Sequence, residues 1–157
     1  MGPESNEDCR TASLTSDPAD VAPAIDALMG PLGNQDPLGR LPAAAADDLR
    51  LALTEVLNNC ILHGYEDQRG RPIEMALRVT PSGVALNVAD QGRTPPESLL
   101  VDQADAFDPL ALFDDKGSEA MAESGRGWAM IRMLTDGLSL EQRDGWNILT
   151  MEKTVGA

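Results

Sequence analysis

The stretch from Leu49 to Tyr65, LRLALTEVLNNCILHGY, limits most tightly what this chain can fold into. At helical period Leu49, Ala52, Leu53, Val56, Leu57 and Cys60 line up as one apolar stripe, wide enough to dock on a sheet. Glu55 and Asn59, four residues apart and therefore neighbours on one face, sit at the margin of that stripe and not opposite it. A carboxylate and an amide are thus set where core meets solvent. A carboxylate there can act as a general base, and an amide oxygen can complete the oxygen shell of a Mg²⁺ ion.

The partner for such a helix is legible on both sides of it. Thr11 to Thr15 alternates weakly and reads as an edge strand. Ser16 or Asp17 with Pro18 starts a helix carrying Val21, Ile25, Leu28 and Met29 on one face, which ends near Gly30 and Gly33 before a loop that runs to Pro42. Ala43 to His63 is the long central helix. After it, Ile73, Met75, Leu77 and Val79 alternate with polar neighbours, as do Val84, Leu86 and Val88, with Pro81, Ser82 and Gly83 between, which is a hairpin pattern ending at Asp90, Gln91 and Gly92. Residues 93 to 124 are irregular and long enough to be a mobile functional loop. Gly125 and Gly127 introduce a helix carrying Trp128, Ile131, Met133 and Leu134; Gly137 to Gln142 and Trp146 to Lys153 close the chain as a strand pair around an Asp144 and Gly145 turn. The fold expected is an α/β two-layer sandwich, a mixed and mainly antiparallel sheet with about three helices on one face. A disordered segment 1–10 would precede a single domain over 11–157.

Composition narrows the function classes. At 157 residues one domain buries roughly 70% of its unfolded surface, so a core forms without staples. Two cysteines, Cys9 and Cys60, fit reduced thiols in a cytoplasmic protein better than a disulfide framework. No apolar run approaches the roughly 20 residues of a membrane span, and no basic-then-apolar leader opens the chain. Twelve Lys and Arg against 26 Asp and Glu give a net charge of -14, which repels a phosphate backbone, and aromatics at 3% are too few for a stacking platform. Direct nucleic-acid binding is therefore not expected.

Three separated features converge on one ligand class. They are the Glu55 and Asn59 pair, Asp90 with Gly92 at a strand end, and Gly125-Arg126-Gly127 before a helix. Glycines at a helix start free N–H groups for an anion, with the helix dipole adding attraction. An aspartate ending a strand, followed by a glycine that leaves room for a planar ring, can accept a hydrogen bond from an exocyclic amine. The combination asks for a nucleotide. Each feature also has a plainer reading: Glu55 as a solvated helix acid, Asp90 and Gly92 as a turn, His63 as a favourable charge at a helix end, Cys60 as a small buried hydrophobe.

Order and spacing resemble the Bergerat-type, histidine-kinase-like ATPases and, within them, the anti-sigma factor serine/threonine kinases. ALTEVLNNCILHGY is similar to that family's N box, VADQG to its first glycine box, and GRGWAMIRMLTD to its second glycine box and following helix. The resemblance implies ATP and Mg²⁺ as cofactors, with Glu55 the base toward a protein serine hydroxyl and Asn59 the Mg²⁺ ligand. It gives Asp90 the adenine amine, Gly92 the base pocket, Gly125 and Gly127 the phosphates, and Arg126 their charge, under an ATP lid around 99–124. It further implies a sigma factor and a STAS-type anti-anti-sigma protein as partners, and a homodimer. The stretch RTPPESLL after the first glycine box lacks the phenylalanine relatives often carry there. Where relatives often set a threonine beside adenine, the choice lies between Asn147 and Thr150. The alternatives are a partner-switching module that holds ATP without transferring phosphate, and the catalytic domain of a histidine kinase, for which the single histidine, His63, inside the N box, is ill placed.

Overall fold

The computed structural model describes residues 9–30, 43–80, 83–95 and 119–154. Alternating apolar residues pair into an antiparallel sheet of five strands among these residues, in the order β1-β2-β3-β5-β4. The strands are β1 (Cys9–Thr15), β2 (Pro72–Thr80), β3 (Gly83–Asp90), β4 (Gly137–Arg143) and β5 (Trp146–Thr154). All four pairings are antiparallel, so the mixture expected from sequence reduces to one kind: both hairpins are local and no described crossover returns a strand in parallel. β1 does form an edge, and it starts at Cys9, inside the segment expected to be disordered.

Among the described residues three α-helices cover one face: α1 (Val21–Met29), α2 (Ala43–Asn59) and α3 (Glu119–Leu134). Asp17 caps a 3-10 turn, Pro18–Asp20, that leads into α1, its carboxylate accepting from Ala19 N at 3.0 Å, while Ser16 is wholly buried instead. The hydroxyl of Ser16 donates to Gln68 O and accepts from Arg71 N, tying the end of β1 to the turn before β2. The whole stripe of α2 is buried as its spacing requires, against Ile73, Met75, Leu77, Val84, Leu86, Val88, Leu149 and Met151 of the sheet. Each such aliphatic side chain contributes about 1.5–3 kcal/mol by leaving water. The opposite face of the sheet carries Glu74, Arg78, Asn87 and Thr150.

Two elements differ from expectation. α3 begins at Glu119, six residues before Gly125, because Glu119-Ala120-Met121-Ala122-Glu123 is a run of strong helix formers that overrides the glycines behind it. Its buried face holds Trp128 and Ile131, but Met133 is 83% exposed, lying well off the i, i+3 row. α2 ends in a π-helical turn, Cys60–Gly64, in which Tyr65 N donates to Cys60 O at 2.8 Å across five residues. Of the lid expected around 99–124, residues 119–124 are the start of α3 and the remainder lies outside the described residues.

Candidate functional site

Glu55 and Asn59 face α3 at Gly127. A Cβ placed on Gly127 would lie 3.2 Å from Glu55 Oε2, 3.7 Å from Asn59 Nδ2 and 3.8 Å from Asn59 Oδ1. Gly127 therefore lets α3 lie against the polar margin of α2, and any side chain there would occupy the space in front of the carboxylate. Asn59 Nδ2 is buried and has no hydrogen-bond partner. An unsatisfied buried donor costs about 1–3 kcal/mol and marks a site completed by something else. Among the described residues no three His, Cys, Asp or Glu side chains group as metal ligands. Mg²⁺ takes few protein oxygens and draws the rest of its shell from phosphate and water, and Asn59 Oδ1 is an oxygen of the kind it takes; the unpartnered Nδ2 is a donor and would meet an acceptor, not the ion.

Asp90 ends β3 with only 7% of its surface exposed. Three donors hold it: Cys60 Sγ at 3.2 Å to Oδ2, and Gly92 N at 2.8 Å and Asn147 Nδ2 at 3.1 Å to Oδ1. The Cys60 thiol is pushed well above its ordinary pKa, first by burial and then by the neighbouring Asp90 charge and hydrogen bond. It stays protonated and acts as a donor. Asn147 is the Cα partner of Asp90 across the β3–β5 pairing and shares its face. Thr150 points the other way and donates to Asn87 Oδ1 at 2.9 Å, so only Asn147 of the two neighbours Asp90.

Gly92 serves a different need from the one its position suggests. A Cβ on it would fall 2.5 Å from the carbonyl carbon and oxygen of Gly64, so backbone packing requires the missing side chain. Arg93 N donates to Gly64 O at 2.8 Å. Tyr65, buried beside it, donates its hydroxyl to Pro72 O at 2.6 Å and accepts from Gln91 N at 2.6 Å. The π-turn at the end of α2 is thereby fastened to the end of β3, with Asp90 between them. His63 in that turn is exposed.

Gly125, Arg126 and Gly127 lie inside α3 and not at its start. Gly127 is brought to Glu55 and Asn59. Beyond the first four residues of a helix the N–H groups belong to its own ladder, so no free amide cradle stands at these glycines. Sequence reading overlooked the donors to Asp90 and the bonds of Tyr65. Cys60 carried no local sign of its role, and the part of Asn147 follows only from the β3–β5 register.

Comparison with known proteins gives the arrangement its family. The profile described as Histidine kinase-like ATPase domain matches residues 14–153. The chain is 29% identical over 106 residues to the Serine/threonine-protein kinase BtrW of Bordetella bronchiseptica, 66% of this chain and 66% of that protein, so it spans just under two thirds of that relative's length. It is 29% identical over 111 residues to an Anti-sigma F factor of Thermoanaerobacter, covering 70% of this chain and 71% of the relative. A second Anti-sigma F factor, from Clostridium botulinum, is 24% identical over 94 residues, covering 60% of this chain and 59% of that one. With a five-stranded antiparallel sheet under three helices and a family match running from β1 into β5, the chain belongs to the histidine kinase-like ATPase domain family.

Proposed function

We propose that this chain is an ATP-binding anti-sigma regulatory factor with serine protein kinase activity toward an anti-anti-sigma protein. The observation that carries this reading is the meeting of Glu55, Asn59 and Gly127 at the α2–α3 seam, where a carboxylate lies against a glycine and the Nδ2 of a buried amide lacks a partner. Glu55 takes the proton of the attacking serine hydroxyl. Asn59 offers its amide oxygen to Mg²⁺, and Gly127 keeps the approach to both open. A bound Mg²⁺ neutralises charge building on the transferred phosphoryl group. Asp90 accepts from the exocyclic amine of adenine, while the Gly64–Gly92 packing holds the segment that bears it. The family resemblance puts Gly125, Arg126 and Gly127 on the phosphate side, a role for which their helical amides offer no free cradle. A relative named as an anti-sigma F factor supports a sigma factor as partner; the family resemblance adds an anti-anti-sigma protein and a second copy of the chain as a homodimer.

A second reading, a partner switch that holds ATP without transferring phosphate, is favoured by the helical conformation of Gly125 to Gly127, which turns their amides into the α3 ladder. Incubation of the full chain with labelled ATP and its anti-anti-sigma protein separates the two. Kinase function requires transfer to serine, lost by about a hundredfold or more in Glu55→Ala with ATP affinity unchanged. Transfer at the wild-type rate by Glu55→Ala removes the base role; ATP binding without any transfer by the wild type leaves the switch.

A further inference from the structure

Asn147 is 4% exposed, and the protein uses its whole hydrogen-bonding capacity. Its Nδ2 donates to Asp90 Oδ1 at 3.1 Å and to Gly92 O at 2.8 Å. Its Oδ1 accepts from Thr94 Oγ1 at 2.7 Å and from Gln142 Nε2 at 3.3 Å. The orientation is fixed by chemistry, since a peptide carbonyl and a carboxylate can only accept. A primary amide has two N–H groups and two lone pairs, so none of Asn147 is left for a ligand. Gln142 Nε2 also donates to Thr94 Oγ1 at 2.7 Å, and the chain Gln142–Thr94–Asn147–Asp90 binds the segment after β3 to β4 and β5.

The same count applied to Asp90 leaves one opening. Oδ1 is filled by Gly92 N and Asn147 Nδ2, and Oδ2 receives only the Cys60 thiol. Among the described residues one lone pair, on Oδ2, is free. We propose that Asn147 is a positioning residue for the nucleobase and not a contact to it. By saturating Oδ1 and fixing the carboxylate plane, it presents the free lone pair of Oδ2 to an exocyclic amine, and so sets the preference for a 6-amino purine over its 6-oxo analogue. This deepens the nucleotide reading above and rests on it.

The test is calorimetric titration of the full chain with ATP and with ITP, whose base carries a carbonyl in place of the amine. The wild type prefers ATP; Asn147→Ala lowers ATP affinity by about tenfold or more while ITP affinity moves by less than about twofold, so the ratio narrows. Thr94→Ala, at an exposed residue that bonds the Oδ1 side of Asn147 and Gln142, narrows the ratio in the same sense by less, and serves where Asn147→Ala fails to fold. A merely structural Asn147 would weaken both nucleotides equally, and an unchanged ratio in both variants overturns the proposal. A wild type that binds both nucleotides equally overturns the role of Asp90, and one that binds neither overturns the nucleotide reading itself.

Discussion

Gly92 and Cys60 show how single residues shape the site without touching a ligand. The Cβ that Gly92 lacks would meet backbone at 2.5 Å, and backbone cannot step aside as a flexible side chain can. Gly92→Ala should therefore destabilise the fold by about 1–3 kcal/mol, read as a lower denaturation midpoint; an unchanged midpoint would mean that Gly64 and Gly92 do not pack as described. Cys60 gives a pH signature. Its thiol pKa is raised in the fold, so the stability tied to its proton is complete below the ordinary thiol value of 9.0 and is lost as pH rises toward the folded value. Tyr65, raised mainly by burial, adds a loss of the same sign above its ordinary 10.0. Denaturant midpoints should fall through the alkaline range, and Cys60→Ala should flatten the earlier part of that fall. An identical slope in the variant would separate the thiol from folding.

At the scale of elements, the turn between β4 and β5 isolates a purely conformational term. Asp144 and Gly145 have φ of 56° and 87°, the two left-handed residues that a tight hairpin of this twist demands. A Cβ on Gly145 would meet nothing within 4 Å, so Gly145→Ala creates no clash and its cost is backbone strain alone. About 1 kcal/mol is expected, measured by chemical denaturation; a neutral substitution would mean that the hairpin relaxes to another turn. The π-turn closing α2 does comparable work for the site, since its wider winding turns Cys60 toward Asp90 while Gly64 meets Gly92.

Taken whole, the molecule brings Glu55, Asn59, Gly127 and Asp90 of the candidate site to the region where the polar margin of α2 meets α3 and the end of β3. Local features of this arrangement were legible in the sequence because they are written at short period. The α2 stripe, the hairpin alternation and the Asp-Gly turn each depend on residues a few positions apart. What was not legible depends on distance along the chain or on competing local signals. Asn147 reaches Asp90 across 57 residues, through a β3–β5 register that neither strand specifies alone. The start of α3 was misplaced because glycine reads as a helix breaker, while the six residues before Gly125 favour helix strongly enough to continue through it. Met133, named with Trp128 and Ile131 as an apolar residue of this helix, sits at an angle on α3 that sets it toward solvent. Among the described residues no helix is long and apolar enough to cross a membrane.

The most direct test of a nucleotide site at this seam is a calorimetric titration of ATP, with and without Mg²⁺, on the wild type and on Asn59→Ala, beside a thermal melt of both. Asn59 Nδ2 is buried without a partner, and alanine is the better helix former by up to about 0.7 kcal/mol, so the variant should melt no lower than the wild type. Its Mg-dependent ATP affinity should nevertheless fall by about tenfold or more, about 1.4 kcal/mol. Stability kept and affinity lost would identify Asn59 as a residue held for the ligand. Equal affinity in both proteins, or no ATP binding by the wild type, would contradict the site.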